Sequence, residues 1–215
     1  MYKYLIMKNI FPTIGLLLSL FLLSSCDSVL DKEPLSQLID KSSDTSSVFT
    51  DADAESAMAA AYSGLKTSQA ELLMLDYYVN GDAQSDNSYA GADNPNNFQI
   101  DDYKISSTNN NVSRDWKYYY GLIALCNNVI EKAPSAVGIN ADRAKEMVGE
   151  ASFIRGWLYF GMVQLWGGVP VVTKPVPEIT SKNFAEVYGL LYPDRKTQEE
   201  VYARIIEDLN TAIAQ

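Results

Sequence analysis

The stretch from Gly149 to Pro170, GEASFIRGWLYFGMVQLWGGVP, constrains this chain more than any other. Met147, Ala151, Ile154, Leu158, Gly161 and Leu165 recur at alternating steps of four and three, which is one stripe of an α-helix. Phe153, Trp157 and Phe160 widen that stripe to most of the circumference. A helix apolar nearly all round must sit between other elements, so this one is expected at the centre of the fold. Gly149, Gly156 and Gly161 each cost about 1 kcal/mol relative to Ala in a helix, and are tolerated where a neighbouring backbone comes close. Gly167 and Gly168 end the helix and Pro170 forbids its resumption. Nothing catalytic is expected of this helix.

The 215 residues suffice for one domain, or one and a fraction, with a real core. The chain holds 14 Tyr, 7 Phe and 3 Trp but no His. That absence removes the commonest general base and metal ligand, and with them Ser-His-Asp chemistry, Cys-His chemistry and His-ligated zinc. The formal charge is −10. Only Lys3 and Lys8 precede Cys26, so a chain beginning there would be more acidic still. Nucleic acid binding needs a basic face and is excluded on this balance, as is adhesion to anionic lipid through a charged patch.

Residues 1–25 read as a targeting segment: Lys3 and Lys8 make a basic start and Ile10 to Leu23 an apolar run too short to span a membrane. Met7 would serve as well as Met1 for the initiator. Leu23-Ser24-Ser25-Cys26 resembles the lipobox of bacterial lipoproteins, which implies cleavage before Cys26 and acylation of that residue. Cys126 then has no intramolecular partner and is expected as a small core residue, since no basic neighbour marks it as reactive.

Residues 26–50 are rich in Ser, Asp and Lys and read as a tether, and 51–215 as a helical domain. Thr50 is expected to cap a helix whose first turn holds Asp51 and Asp53 and whose apolar face holds Ala54, Met58, Ala61, Tyr62 and Leu65. An apolar run from Leu72 to Val79 follows. Residues 80–112 are different, with eight Asn, five Asp and no helical period. Structureless loops longer than about 15 residues are uncommon in compact domains unless functional or disordered, so this loop is the best candidate for a binding surface.

Helices are expected again from Ser113, with Ser113 as cap, Asp115 in the first turn and Trp116, Tyr120, Ile123, Asn127 and Ile130 on one face until Pro134. Asn140 caps the central helix, and the two form an antiparallel pair of tetratricopeptide-like type. The stretch after Pro170, with Pro175, Pro177 and Pro193, reads as too broken for a regular element. A capping box, Thr197 to Glu200, opens a last helix lined by Val201, Ile205, Leu209 and Ala212, with Ile206 and Ile213 beside them. A lone amphipathic helix at the end of an array wants a mate, which suggests the amino-terminal part of a longer protein.

Four ordered motifs carry a family likeness: CDSVLDKEP at 26–34 with the DADAESAMAAAYSGL helix, WKYYYGLIALCNNVI at 116–130, GEASFIRGWLYFGMVQLWGGVPVVTKP at 149–175, and TQEEVYARIIEDLNTAI at 197–213. With these the chain resembles the SusD/RagB-type nutrient-binding lipoproteins of Bacteroidetes. The resemblance implies an all-α fold of tetratricopeptide-like helix pairs, a lipid-anchored place on the outer membrane, and a SusC-type TonB-dependent transporter as partner. It also implies capture of an oligosaccharide or peptide for that transporter. Family members are more than twice this length.

Sugar recognition needs flat aromatic faces for the C–H side of a pyranose and short amides or carboxylates for its hydroxyls. Loop 80–112 offers both, and the candidate ligand-binding residues are Asp86, Asn87, Tyr89, Asn97, Phe98 and Tyr103, with Asp82, Asn94 and Asp101 beside them. Asn and Asp equally make turns, and the aromatics could pin the loop to the body. No cofactor is expected. Calcium is a weak alternative through Asp82, Asp86, Asp93, Asp101 and Asp102, which lack the spacing of an EF-hand. Two other functions stand beside glycan capture: a tetratricopeptide-like scaffold that binds only protein, and a glycosidase using Glu146 and Glu150. The carboxylate pair is more simply explained by solvation and salt bridging with Arg143 or Lys145.

Overall fold

The computed structural model describes residues 48–66, 81–85, 87–91, 94–177, 179–180 and 182–215. The targeting segment, Cys26, most of the tether and the Leu72–Val79 run lie outside these residues. Helix α1 (Asp51–Lys66) starts at Thr50, whose Oγ1 accepts from the Asp53 amide while Asp53 Oδ2 accepts from the Thr50 amide at 2.8 Å. This reciprocal pair is a capping box with Asp in place of Glu. Ala54, Met58 and Ala61 face the core, as their spacing predicts.

Helix α2 (Pro95–Asp101) corrects the sequence reading, which left 80–112 without regular structure. Asn94 caps it through Oδ1, and Pro95 sits in its first turn, where a missing N–H costs nothing. Helix α3 (Asn110–Lys132) also starts earlier than expected, because Asn109, not Ser113, caps it by accepting from the Asn111 and Val112 amides. Asp115, expected in the first turn, therefore lies beyond it and is buried. The helix runs into a 3-10 turn (Ala133–Ser135) at Pro134.

Helix α4 (Ala141–Trp166) is the central one, capped by Asn140 and closed by Gly167 at φ 69°. It packs against both α3 and helix α6 (Gln198–Ala214), while α1 packs on α3. Met147, Ala151, Ile154 and Leu158 are buried, with Tyr159, Met162 and Val163 beside them. Gly149 and Gly156 lie where α6 crosses. A Cβ on Gly156 would stand 3.1 Å from Asp208 Cβ and 3.5 Å from the Ile205 carbonyl, so this close crossing needs glycine. Helix α6 opens with the expected capping box, Thr197 with Glu200, and buries Val201 and Ile205. It therefore has α4 as its mate.

The apolar circumference of α4 is less covered than its composition predicts. Phe153 is 55%, Trp157 43% and Phe160 45% exposed, and Leu165 is also exposed, so one aromatic stripe faces outward. Periodicity reports which side chains are apolar; it does not report whether a neighbour is present to cover them. The region after Pro170 likewise departs from expectation, because helix α5 (Phe184–Leu191) fits between Pro177 and Pro193.

Among the described residues there are two isolated bridges, Thr50 with Val137 and Pro170 with Arg195, and no strand. The fold is all-α, and none of the described helices is long and apolar enough to cross a membrane. Cys126 is wholly buried between helices, as expected, and burial pushes its thiol up to about 12.

Candidate functional site

The candidate loop is held by its own polar side chains. Asn109 donates through Nδ2 to the Asn96 carbonyl and to Gln99 Oε1, each at 3.0 Å, so the residue that caps α3 also holds α2 in place. Asn97 accepts through Oδ1 from Asn111 Nδ2 at 2.7 Å. Buried amides of this kind must be paired, and here they pair with one another. Asn97 and Asn94 are thus used in building the loop, and Phe98 is half-buried.

Tyr89 and Tyr103 present their rings outward, 78% and 71% exposed. Two bonds join the backbone segments that carry them. Asp101 Oδ2 accepts from the Ala90 amide at 3.0 Å, and the Tyr103 phenol donates to the Gln84 carbonyl. Tyr103 itself has φ 55°, a left-handed backbone uncommon for a bulky side chain. Asn87 and Asp82 are exposed nearby in the chain; Asp86 and Asp93 lie outside the described residues. The loop therefore offers two open aromatic faces on one knot of backbone with short polar groups beside them. Among the described residues no three acidic or sulfur ligands converge on a point that could hold a metal.

The carboxylates weighed as a catalytic pair are both engaged by Arg143, with Glu146 at 3.3 Å and Glu150 at 2.8 Å. Glu150 also accepts from the Tyr62 phenol at 2.7 Å, and burial with that bond raises the phenol to about 12. Glu55 completes the cluster through Arg143, whose hydrogen bond holds the Glu55 carboxyl below its ordinary value. This arrangement ties α1 to α4. It leaves no acid and base facing each other across an open gap.

Sequence reasoning missed a buried polar cluster between the helices. Arg155 forks onto Asp208 and donates through Nη1 to Asn127 Oδ1 at 2.7 Å and to the Thr173 carbonyl at 3.2 Å. Asn127 donates to the Val172 carbonyl at 3.0 Å, and Tyr159 Oη accepts from the Val172 amide at 2.7 Å. These bonds fasten the strand-like Pro170–Thr173 segment across α3 and α4. The available signal was a charge at a core position in each of two apolar helix faces.

Two open depressions lie among the described residues. One, about 770 Å³, lies between α1, α4 and α6 and is lined by Tyr62, Leu65, Phe153, Trp157, Leu209 and Ile213. The other, about 700 Å³, runs along Val171–Pro177 beneath Leu190 and Pro193.

An all-α array of helix pairs carrying an exposed aromatic and amide loop is the class of protein that this architecture defines. The SusD-like_3 family, described as starch-binding and associating with the outer membrane, matches residues 37–215. SusD-like protein P38 of Formosa agariphila is 32% identical over 212 residues, 95% of this chain and 37% of its own. A SusD-like protein of Bacteroides ovatus is 27% identical over 113 residues, 52% of this chain and 19% of its own. Among solved structures, a laminarin-binding SusD-like protein superposes with a TM-score of 0.60 at 19% identity, covering 77% of this chain and 34% of that one. Surface glycan-binding protein A from Bacteroides uniformis gives 0.62 at 21%, covering 77% and 34%. The chain belongs to the SusD-like family. It spans a little over a third of the length of the P38 relative and less of the others named.

Proposed function

We propose that this protein is a surface lipoprotein that captures a neutral oligosaccharide and delivers it to a SusC-type TonB-dependent transporter in the outer membrane. The family match over residues 37–215 carries the reading, since that family is described as starch-binding and outer-membrane associated. A laminarin-binding neighbour of the same fold supports a glucan as ligand. In this reading Cys26 bears the acyl chains, residues 27–50 form the tether, and the rings of Tyr89 and Tyr103 stack on sugar faces. Asn87 and Asp86 serve the hydroxyls, and Asn97 and Phe98 hold the shape of the loop. Stacking buries C–H surface against an aromatic face while leaving hydroxyls at the rim, the way an amphipathic ligand is held without chemistry. No catalytic group is assigned.

Affinity electrophoresis through gels containing laminarin, soluble starch or no glycan tests the binding reading. Retardation in at least one glucan gel is expected, and equal mobility in all of them contradicts it. Metabolic labelling with a palmitate analogue tests the anchor: label is expected in the wild type and absent from Cys26→Ala. A second reading, a scaffold that binds only protein, is favoured by one observation, the outward stripe of Phe153, Trp157 and Phe160. It predicts no retardation in any glucan gel.

A further inference from the structure

The depression between α1, α4 and α6 is walled by ridges of helical spacing. Phe153 and Trp157 stand four apart on α4, and Leu209 and Ile213 four apart on α6. Phe160 continues the first ridge, and Ile206 and Tyr202 the second, at steps of three and four. Both ridges are open to solvent: Phe153, Trp157, Ile206 and Ile213 are all exposed. The charged side chain at the edge, Glu150, accepts from the Tyr62 phenol at 2.7 Å and from Arg143 at 2.8 Å. Polar groups that a sugar's hydroxyls would need are thus already bonded to one another. Two apolar ridges with a channel between them are instead what a third helix fills with a ridge of its own.

We infer that this channel seats an amphipathic helix of the same polypeptide, supplied by the carboxy-terminal part that SusD-like relatives possess. Length supports that occupant. The chain matches the amino-terminal part of the family and spans 37% of the P38 relative and 34% of the laminarin-binding structure. Position supports it too. A Cβ on Gly156 would meet Asp208 and one on Gly149 would meet Gln215 at 3.0 Å, so α4 and α6 run antiparallel. The last turn of α6 therefore lies beside Gly149, which itself lines the channel. Chain continuing past Gln215 leaves from the channel's own edge, and consecutive elements are usually neighbours in space. A segment tethered there has an effective concentration on the order of millimolar, which a second copy or a separate protein would have to outcompete. In the whole protein the outward stripe of α4 is then interior, and is not a face for a protein partner. The seat is independent of the glycan reading.

The test is maleimide labelling of Phe153→Cys and Ile213→Cys in a Cys26→Ser background, with Tyr89→Cys as an open reference. Each variant is made from the whole reading frame and again stopped after Gln215. Labelling is read peptide by peptide by mass, and Cys126, buried in the folded chain, reports folding in every sample. In the whole protein the thiols of Phe153→Cys and Ile213→Cys should react at least about tenfold more slowly than that of Tyr89→Cys, because the seated helix must first open. In the 215-residue chain all three should react promptly. Equally prompt reaction of Phe153→Cys and Tyr89→Cys in the folded whole protein overturns the inference, as does a reading frame that stops at Gln215. Slow reaction of Phe153→Cys in the 215-residue chain also overturns it. If dilution restores the rate, a second copy covers the channel; if not, these residues cover it themselves.

Discussion

Arg155 and Asp208 meet as a two-pronged pair, 3.0 Å from Nε to Oδ2 and 2.6 Å from Nη2 to Oδ1, with both side chains almost wholly withdrawn from solvent. Arg204 adds a third donor, 2.6 Å from Asp208 Oδ1. The pair joins α4 and α6 at the level of Gly156, where the two helices cross. Removing one partner from such a pair leaves a buried charge uncompensated, which is far worse than never having had the pair. Asp208→Ala, which strips Arg155 of its carboxylate, is expected to lower unfolding free energy by about 3–5 kcal/mol, and Arg155→Met, which leaves Asp208 paired with Arg204, by less. The double variant should lose less than their sum, and a denaturant-melt cycle measures the coupling.

Asn109→Ala is expected to act locally. It removes the cap of α3 and both bonds to α2, at a cost of about 1–3 kcal/mol. Hydrogen exchange should accelerate at residues 96–112 and remain slow in α4. Uniform acceleration would show that the loop and core open together.

The framework of helices was legible because its signals are local. Thr50 and Thr197 each head a reciprocal cap, and Met147 to Leu158 repeat at helical spacing, so α1, α4 and α6 could be placed from the chain alone. The start of α3 could not. Asn109, Asn110, Asn111 and Ser113 are all capping types, and what selects Asn109 is a tertiary event, the docking of its amide on Asn96 and Gln99. Helix α5 was hidden between prolines that bound it without entering it. For the candidate site, Tyr89 and Tyr103 emerge as open aromatics, whereas Asn97 turns inward to Asn111. Composition marks which residues could meet a ligand; it does not say which are already spent on each other.

Stability should depend on pH at both ends. Asp53 and Glu200 are held below their ordinary values by backbone hydrogen bonds from their cap partners, and Glu55 by its hydrogen bond from Arg143. A depressed carboxyl stabilises the fold above its unfolded value, near 3.8 for Asp and 4.5 for Glu, and that contribution is lost as pH falls through the lower folded value. Tyr159 is raised to about 12 by burial, against 10.0 when free, so its contribution is intact below pH 10 and lost as pH climbs toward 12. Melting temperature against pH should therefore fall below about pH 4.5 and above about pH 10. Tyrosinate absorbance from Tyr120 and Tyr159, both raised mainly by burial, should appear together with unfolding.

Cys126 should be inert to thiol reagents in the native state, since burial both shields it and suppresses its thiolate. In a Cys26→Ser variant, where Cys126 is the remaining cysteine, an Ellman titration should read near zero until denaturant is added. Prompt labelling of folded protein would contradict the packing around it.

The central claim, that the two open tyrosines of loop 80–112 grip a glycan, is tested most directly by one measurement. The mobility of wild type, Tyr89→Ala and Tyr89→Ala/Tyr103→Ala is compared in native gels containing laminarin or soluble starch, read in whichever retards the wild type, with melting temperatures taken alongside. Retardation should be marked in the wild type, reduced in the single variant and reduced further in the double, with all three melting together. Equal retardation of all three proteins, or none in the wild type, would contradict it.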